Sequence, residues 1–187
     1  DEFSNDLRDY DGNADIKIGI VNHESAHEYF HGSISEIGIW NSALTHEKIQ
    51  ELMFTDSIGY QPDLIAHWKF NANDGDILYD HSGNANHGTI NGASWNLLPV
   101  EGGNNSLSFD GNNDFVELSN SYAFESNMTF QAWIRPDGNG DYNQSDAGAC
   151  IYSQGAQESV SYADFAIGLT TSFSGNDGNL RLVAEFG

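Results

Sequence analysis

The sequence is poor in cysteine, in proline and in positive charge. Cys150 is the only cysteine among 187 residues, so no internal disulfide can form and a small disulfide-stabilised scaffold is excluded. Six Lys and Arg residues face 28 Asp and Glu residues, a formal net charge of −22. Nucleic acids and anionic membrane surfaces bind cationic faces, so this charge argues against both as partners. No apolar run approaches the roughly 20 residues of a membrane span, and we expect no membrane insertion.

The remaining composition is that of a globular chain. Hydrophobic residues make up 39% and aromatic residues 12%, and a chain of this length can bury about 70% of its unfolded surface. Twenty glycines with three prolines indicate many tight turns between short strands. No signal peptide is recognisable, and we expect an internal piece of a longer protein.

Apolar residues alternate with period two, which predicts an all-β sandwich. In MTFQAWIRP, Met128, Phe130, Ala132 and Ile134 share one face. In SISEIGIW, the same alternation places Ser35, Ile37 and Ile39 on one face and Ile34, Glu36, Gly38 and Trp40 on the other. Further predicted strands are DIKIGIV, LIAHWKF, SLSFDG, DFVELS, CIYSQ, DFAIGLTT and LRLVAEF.

One short helix is predicted among the strands. Thr45 can cap the segment HEKIQELM, in which Ile49, Leu52 and Met53 form one apolar stripe. We expect this helix to cover an end of the sandwich.

Four segments resemble the laminin-G-like family of jelly rolls. Residues 64–96 resemble the opening of such a domain, with a D-x-S-G-N-x-N-x-G loop that begins at Asp80. Residues 107–118 resemble the next hairpin, and MTFQAWIRPDG resembles the strand after it. Residues 29–52 resemble the last long strand and the capping helix of the family. The resemblance implies an antiparallel, concanavalin-A-like jelly roll of two sheets with one short helix.

The order of these segments departs from the family, because the end-like segment precedes the opening. Residues 1–60 are predicted to be the C-terminal strands and capping helix of a jelly roll, and residues 61–187 its N-terminal two-thirds. A piece of a tandem array, a circular permutant and a chain that skips a loop all remain open. We expect the two pieces to complete one sandwich, within the chain or between neighbouring repeats or protomers.

The resemblance and the acidity together favour a non-catalytic module at the cell surface or outside the cell. Such a module would be an adhesin-type repeat that binds carbohydrate or protein, with a glycan, a surface protein or neighbouring repeats as partners. The alternatives are an accessory domain of a secreted glycoside hydrolase or peptidase and, more remotely, a zinc peptidase.

Calcium is the cofactor that the sequence predicts, because oxygen side chains spaced two apart around glycines can wrap Ca²⁺. Laminin-G-like domains often bind such an ion at their rim, which supports the prediction by resemblance. Asx-turns between strands explain the same pattern without a metal. The candidate ligands are Asp110, Asn112, Asp114, Asp80, Asn84, Asp137, Asn139 and Asp141.

The segment His23-Glu24-Ser25-Ala26-His27 fits the zinc motif H-E-x-x-H. That motif needs both histidines on one helix, whereas this segment lies between strand-like runs, so we interpret it as coincidence. No strand carries a close pair of acids of the kind that glycosidases use, since Glu36 stands alone in its strand. His67 and Trp68 are interpreted as packing residues, Cys150 as a buried small hydrophobe, and no catalytic residue is predicted.

Overall fold

A computed structural model describes residues 16–22, 27–53, 61–96, 105–120, 127–137, 149–154, 165–170 and 181–186. These residues form an all-β structure with one helix, as the period-two alternation predicts. The strands are β1 (Ile16–Ile18), β2 (Ile20–Asn22), β3 (His27–Tyr29), β4 (His31–Trp40), β5 (Leu64–Trp68), β6 (Ile77–Leu78), β7 (Gly88–Asn91), β8 (Ser94–Asn96), β9 (Ser106–Asp110), β10 (Phe115–Leu118), β11 (Thr129–Pro136), β12 (Ala149–Gln154), β13 (Phe165–Thr170) and β14 (Arg181–Phe186). The helix α1 spans His46–Met53.

The strands form two large antiparallel sheets and a hairpin. Seven strands lie in the order β14-β13-β12-β1-β10-β7-β6, and the smaller sheet has the order β11-β4-β9-β8 with β5 also paired to β4. β4 pairs with β11 along one side, and with β9 and β5 at opposite halves of its other side. Strands within residues 16–40 and strands within residues 64–186 therefore lie in both sheets, and β1 lies between β10 and β12.

Apolar side chains from both sheets meet in one core cluster. β1 contributes Ile16 and Ile18, β4 contributes Ile37 and Ile39, and Trp68 of β5 is fully buried among them. Side chains at alternate positions of β11, which include Phe130 and Ile134, pack against this cluster as the sequence predicts. The hydrophobic contacts between the sheets thus supply a β-sandwich-like core.

A β-bulge in β4 changes the alternation that the sequence predicts. Trp133 pairs with Glu36 and Ile134 with Ile34, so Ser35 is an extra residue on β4. The inserted residue moves Ile34 onto the face of Ile37. Strict alternation, which places Ile34 opposite Ile37, is therefore wrong at this one position.

The helix α1 has the bounds that the sequence predicts. The Thr45 hydroxyl accepts a hydrogen bond from the Lys48 amide at 3.3 Å, which caps the first turn. Leu52 is buried and forms a second, smaller cluster with Trp40 and Leu64. The helix therefore packs against the ends of β4 and β5, at the side of the sheet away from the main core.

Candidate functional site

Asp80 organises the loop that follows β6. Its Oδ1 accepts hydrogen bonds from the amides of His67 and Ser82, both at 2.9 Å. Its Oδ2 lies 2.7 Å from the Ser82 hydroxyl and accepts the Asn86 amide at 2.9 Å. These four contacts hold a carboxylate that is only 8% exposed, and they fix residues 80–88 (the Asp80 loop) against β5. Because they occupy the lone pairs of this carboxylate, a cation would have to displace them.

Amide side chains of the Asp80 loop cover the outer edge of β5. The Asn84 Nδ2 donates to the carbonyls of Leu64 and Ile65, both at 2.9 Å. The Asn86 Nδ2 donates to the same Ile65 carbonyl at 2.9 Å. Asn120, which follows β10, donates from its Nδ2 to the Asn86 Oδ1. The side chains take the place that a neighbouring strand would have in the ladder, and their orientations are fixed as a result.

These fixed amides line a shallow groove of about 380 Å³. Its lining residues are Asn41, Pro62, Asp63, Leu64, Ile65, Asn84 and Asn86. The volume is at the small end of the range for small-molecule sites. Polar groups at fixed positions beside short apolar patches suit a polar, neutral ligand that makes several hydrogen bonds.

The Asp110–Asp114 turn is closed by its own carboxylates. The Asp110 Oδ1 accepts the Asn112 amide at 2.8 Å and the Asn113 amide at 3.4 Å. The Asp114 Oδ2 accepts the Asp110 amide at 2.8 Å. The hydrogen bonds from Asn112 lower the pKa of Asp110. Burial raises the pKa of Asp114, which is 6% exposed.

The Asp110–Asp114 turn and the Asp80 loop, which both carry predicted calcium ligands, are far apart. Asp110 pairs with His31 at one end of β4, whereas Asp80 bridges Trp68, whose partner on β4 is Ile37. The six positions from His31 to Ile37 span about 20 Å. Asn84 belongs to the Asp80 loop and lies with it.

The remaining calcium candidates do not complete a cage among the described residues. Asp137 lies 3.2 Å from Arg135, and Asn139 and Asp141 lie outside the part of the chain that the structure describes. Within that part, no three His, Cys, Asp or Glu side chains are grouped to hold a metal. Calcium needs six to eight oxygens, so the described residues do not fit the ion by themselves, and its binding stays a prediction.

The zinc motif begins outside the described residues and ends in a strand. His23 and Glu24 are not described, while His27 is the first residue of β3 and pairs with Asn22 of β2. A strand cannot present His27 one helical turn from His23, which is the geometry that the peptidase motif needs.

One pair of ionisable side chains was not foreseen from the sequence. The Glu36 Oε1 lies 2.6 Å from the His67 Nε2, on the face of the smaller sheet that is turned away from the core. The His67 ring is fully buried and edge-on to His81, with ring centroids 6.4 Å apart. Burial, with the charges of Lys69 and then His67, lowers the pKa of His81. Only the pairing of β4 with β5 brings Glu36 and His67 together, so no local pattern could indicate it.

The described residues hold no arrangement typical of covalent catalysis. None of their serine hydroxyls is hydrogen-bonded to a histidine ring, and the nearest acid–hydroxyl contact, that of Ser82 with Asp80, serves the loop. Cys150 is buried and its thiol lies 3.2 Å from the Tyr152 carbonyl. Its burial is that of a packing residue.

Comparisons with protein-family models, with curated proteins and with solved structures found no match to this chain. In the part of the chain that the structure describes, no helix has the length and apolar character needed to cross a membrane.

Proposed function

We propose that this chain is a non-catalytic binding module of an extracellular or cell-surface protein, with a laminin-G-like jelly-roll arrangement, and that it takes a glycan in the groove beside the Asp80 loop. The observation that carries the proposal is the set of amide side chains held rigid along the groove. Asn84 and Asn86 are each fixed by bonds to β5 carbonyls at 2.9 Å. Groups that are ordered before binding lose little entropy when the ligand arrives.

The chemistry of the groove favours a sugar over a charged or purely apolar ligand. Asn84 offers its amide oxygen, Asp63 offers a carboxylate, and Pro62 offers a small apolar surface. Sugar hydroxyls can donate hydrogen bonds to both of these acceptors. An anionic ligand would meet the carboxylate of Asp63 and a chain of net charge −22. The neutral or weakly basic glycans are therefore the expected class.

The acidic surface supports a place outside the cell. A large net charge of one sign keeps a protein soluble and discourages nonspecific association. A chain with one buried cysteine is also insensitive to an oxidising compartment. Both features suit a repeat of a surface adhesin, and the same module could accompany a secreted hydrolase as its accessory domain.

Glycan binding is tested by applying the chain to an array of immobilised neutral and basic oligosaccharides and by titration calorimetry with the best binder. Asp63→Ala changes an exposed groove residue, and we expect affinity about tenfold lower, because a charge-assisted hydrogen bond is lost. Asp74→Ala is the matched control, since Asp74 is an exposed acid outside the groove. Equal loss in both variants, or no binding by the unmodified chain to any sugar, would count against the proposal.

A further inference from the structure

The amide groups of the Asp80 loop present an acceptor to the groove rather than a donor. The Asn84 Nδ2 donates to the carbonyls of Leu64 and Ile65, which uses both hydrogens of its amide group. The Asn86 Nδ2 donates to the Ile65 carbonyl, and Asn86 is only 6% exposed. The polar atom that the exposed Asn84 side chain has left for a ligand is therefore its Oδ1, which accepts hydrogen bonds.

Asp63 brings a carboxylate to the same groove. Its backbone carbonyl accepts the Asn41 amide at 2.8 Å, which holds this residue beside the end of β4. Asp63 is exposed and forms no ion pair with any residue that the structure describes. None of the residues that line the groove is Lys, Arg or His, and Pro62 has no N–H to donate. The groove thus carries a negative charge that its lining residues do not neutralise.

The composition of the groove restricts the kind of cation that it can bind. Calcium takes six to eight oxygen ligands, whereas the lining residues include a single carboxylate, that of Asp63. A quaternary ammonium group has no N–H and is held by the faces of aromatic rings, and no aromatic side chain lines the groove. A protonated primary amine has three N–H donors and no acceptor, so it matches a groove that offers acceptors and a negative charge.

From these contacts we propose that the groove selects a sugar that carries a free amino group, such as a 2-amino-2-deoxyhexose. The ammonium group of the sugar donates to the Asp63 carboxylate in a charge-assisted hydrogen bond. A neighbouring ring hydroxyl donates to the Asn84 Oδ1, which is already held in place by the bonds of Asn84 to β5. This inference rests on the proposed binding of glycans and names the class of glycan.

Ligands that lack either the charge or the hydroxyl groups satisfy the groove less completely. The hydroxyl groups of a neutral or N-acetylated sugar serve both acceptors but leave the charge of Asp63 uncompensated. A lysine side chain compensates this charge, but its hydrocarbon stem has no donor beside the ammonium group, so the Asn84 Oδ1 stays unused. An amino sugar combines the positive charge with adjacent hydroxyl donors.

The probe is the β-1,4-linked tetramer of glucosamine, and its fully N-acetylated form is the matched control ligand. Both are titrated into the whole chain in a calorimeter at physiological ionic strength, where a Debye length of about 8 Å suppresses attraction by distant charges. We expect the free-amine tetramer to bind about tenfold more tightly, because it adds a charge-assisted hydrogen bond. This preference should disappear as the pH rises through the amine pKa of the tetramer, since the neutral amine carries no charge.

A variant pair separates the groove from the general acidity of the chain. Asp63→Asn keeps the size of the side chain and one acceptor oxygen but removes the charge, so the two tetramers should bind with nearly equal affinity. Asp74→Asn changes the net charge by the same amount at an exposed position outside the groove. This control variant should keep the preference for the free amine.

Two measurements on the unmodified chain locate the contact and identify the ligand. The free-amine tetramer should shift the backbone amide resonances of residues 63–65 and 84 and leave that of Asp74 unchanged. Butylamine supplies the ammonium group without hydroxyl groups. We expect it to bind at least about tenfold more weakly than the free-amine tetramer, because the hydrogen bond to the Asn84 Oδ1 is missing.

Three results overturn the inference. One is equal affinity of the two tetramers for the unmodified chain. Another is an equal loss of the preference in Asp63→Asn and Asp74→Asn, which assigns the attraction to the charge of the whole chain. The third is butylamine that binds as tightly as the free-amine tetramer, which assigns binding to any amine. In all three cases neutral sugars on the array still decide glycan binding, whereas a chain that binds no sugar at all contradicts the proposed function itself.

Discussion

Glu36 and His67 join β4 to β5 through a contact of 2.6 Å between Oε1 and Nε2. The His67 ring is 0% exposed and the Glu36 side chain 17% exposed, so the pair is largely out of water. On the main-chain side, the His67 amide donates to the Asp80 carboxylate at 2.9 Å. One residue of β5 is thus held from two directions, by an acid of the preceding strand and by an acid of the following loop.

Removing Glu36 should destabilise the fold. Glu36→Ala leaves a buried imidazole nitrogen without its partner, and we expect a loss of about 2–3 kcal/mol in the free energy of unfolding. The measurement is urea denaturation of Glu36→Ala, His67→Phe and the double variant. A double-mutant cycle should give a coupling energy above about 1 kcal/mol. Asp74→Ala serves as the exposed-acid control, and simple additivity of the two single losses would show that the contact contributes nothing.

Asp80→Asn should be more costly than a surface change of the same kind. The Asp80 carboxylate accepts four hydrogen bonds, two at each oxygen. In the variant, the amide NH2 group replaces one oxygen and cannot accept its two bonds. About two hydrogen bonds are therefore lost, at roughly 3 kcal/mol in total. For a chain of this length the melting temperature should fall by about 10 °C. The control is Asp76→Asn, in an exposed turn, with an expected change near zero. Equal melting temperatures of the two variants would contradict the central role of Asp80.

Asp114 should make the fold less stable as the pH rises. Burial raises its pKa above the value of 3.8 that it has when unfolded. Between these two pKa values the folded state binds more protons than the unfolded state, so stability is highest below 3.8 and falls as the pH rises through the folded pKa. The contribution of Asp110 to stability rises with pH instead, because its pKa is lowered. Asp114→Asn should remove the part of the stability that falls as the pH rises.

The pH test is urea denaturation of the unmodified chain and of Asp114→Asn over roughly pH 3 to pH 7. The advantage of the variant over the unmodified chain should grow toward neutral pH and disappear in acid. A difference between the two proteins that is independent of pH would show that Asp114 titrates alike in the folded and unfolded states.

Calcium should raise the melting temperature only modestly. The turn at Asp110 offers two carboxylates, which suits the weak, millimolar affinity of extracellular sites. At a concentration ten times the dissociation constant the stabilisation is about 1.4 kcal/mol, or about 3–5 °C. Asp110→Asn should reduce the shift and Asp76→Asn should not. EDTA should reverse it, whereas no response to Ca²⁺ together with zinc binding lost in His27→Ala would contradict the prediction.

Local patterns were sufficient for most of the secondary structure. The helix runs over the eight residues that Thr45 and the apolar stripe indicate, because capping and helical periodicity are properties of neighbouring residues. The strand over Thr129–Pro136 packs its alternate residues inward for the same reason. One exception is DIKIGIV, predicted as a single strand but divided at Gly19 into β1 and β2. Another is Ile34, which the bulge at Ser35 turns to the core. A bulge depends on the partner strand, and so the alternation of β4 alone could not reveal it.

The roles of the acids depended on contacts across long stretches of sequence. Metal binding by Asp80 stays a prediction, and its oxygens accept hydrogen bonds from residues 2 to 13 positions away. Glu36 was interpreted as isolated, yet its partner is 31 positions along the chain.

The class of structure and its elements follow from residue type and periodicity, since each strand or turn is chosen by neighbouring residues. Which carboxylates meet which donors follows only from strand pairing. The reason is physical: a hydrogen bond requires two groups within about 3 Å, and only the packed sheets decide which distant residues come that close.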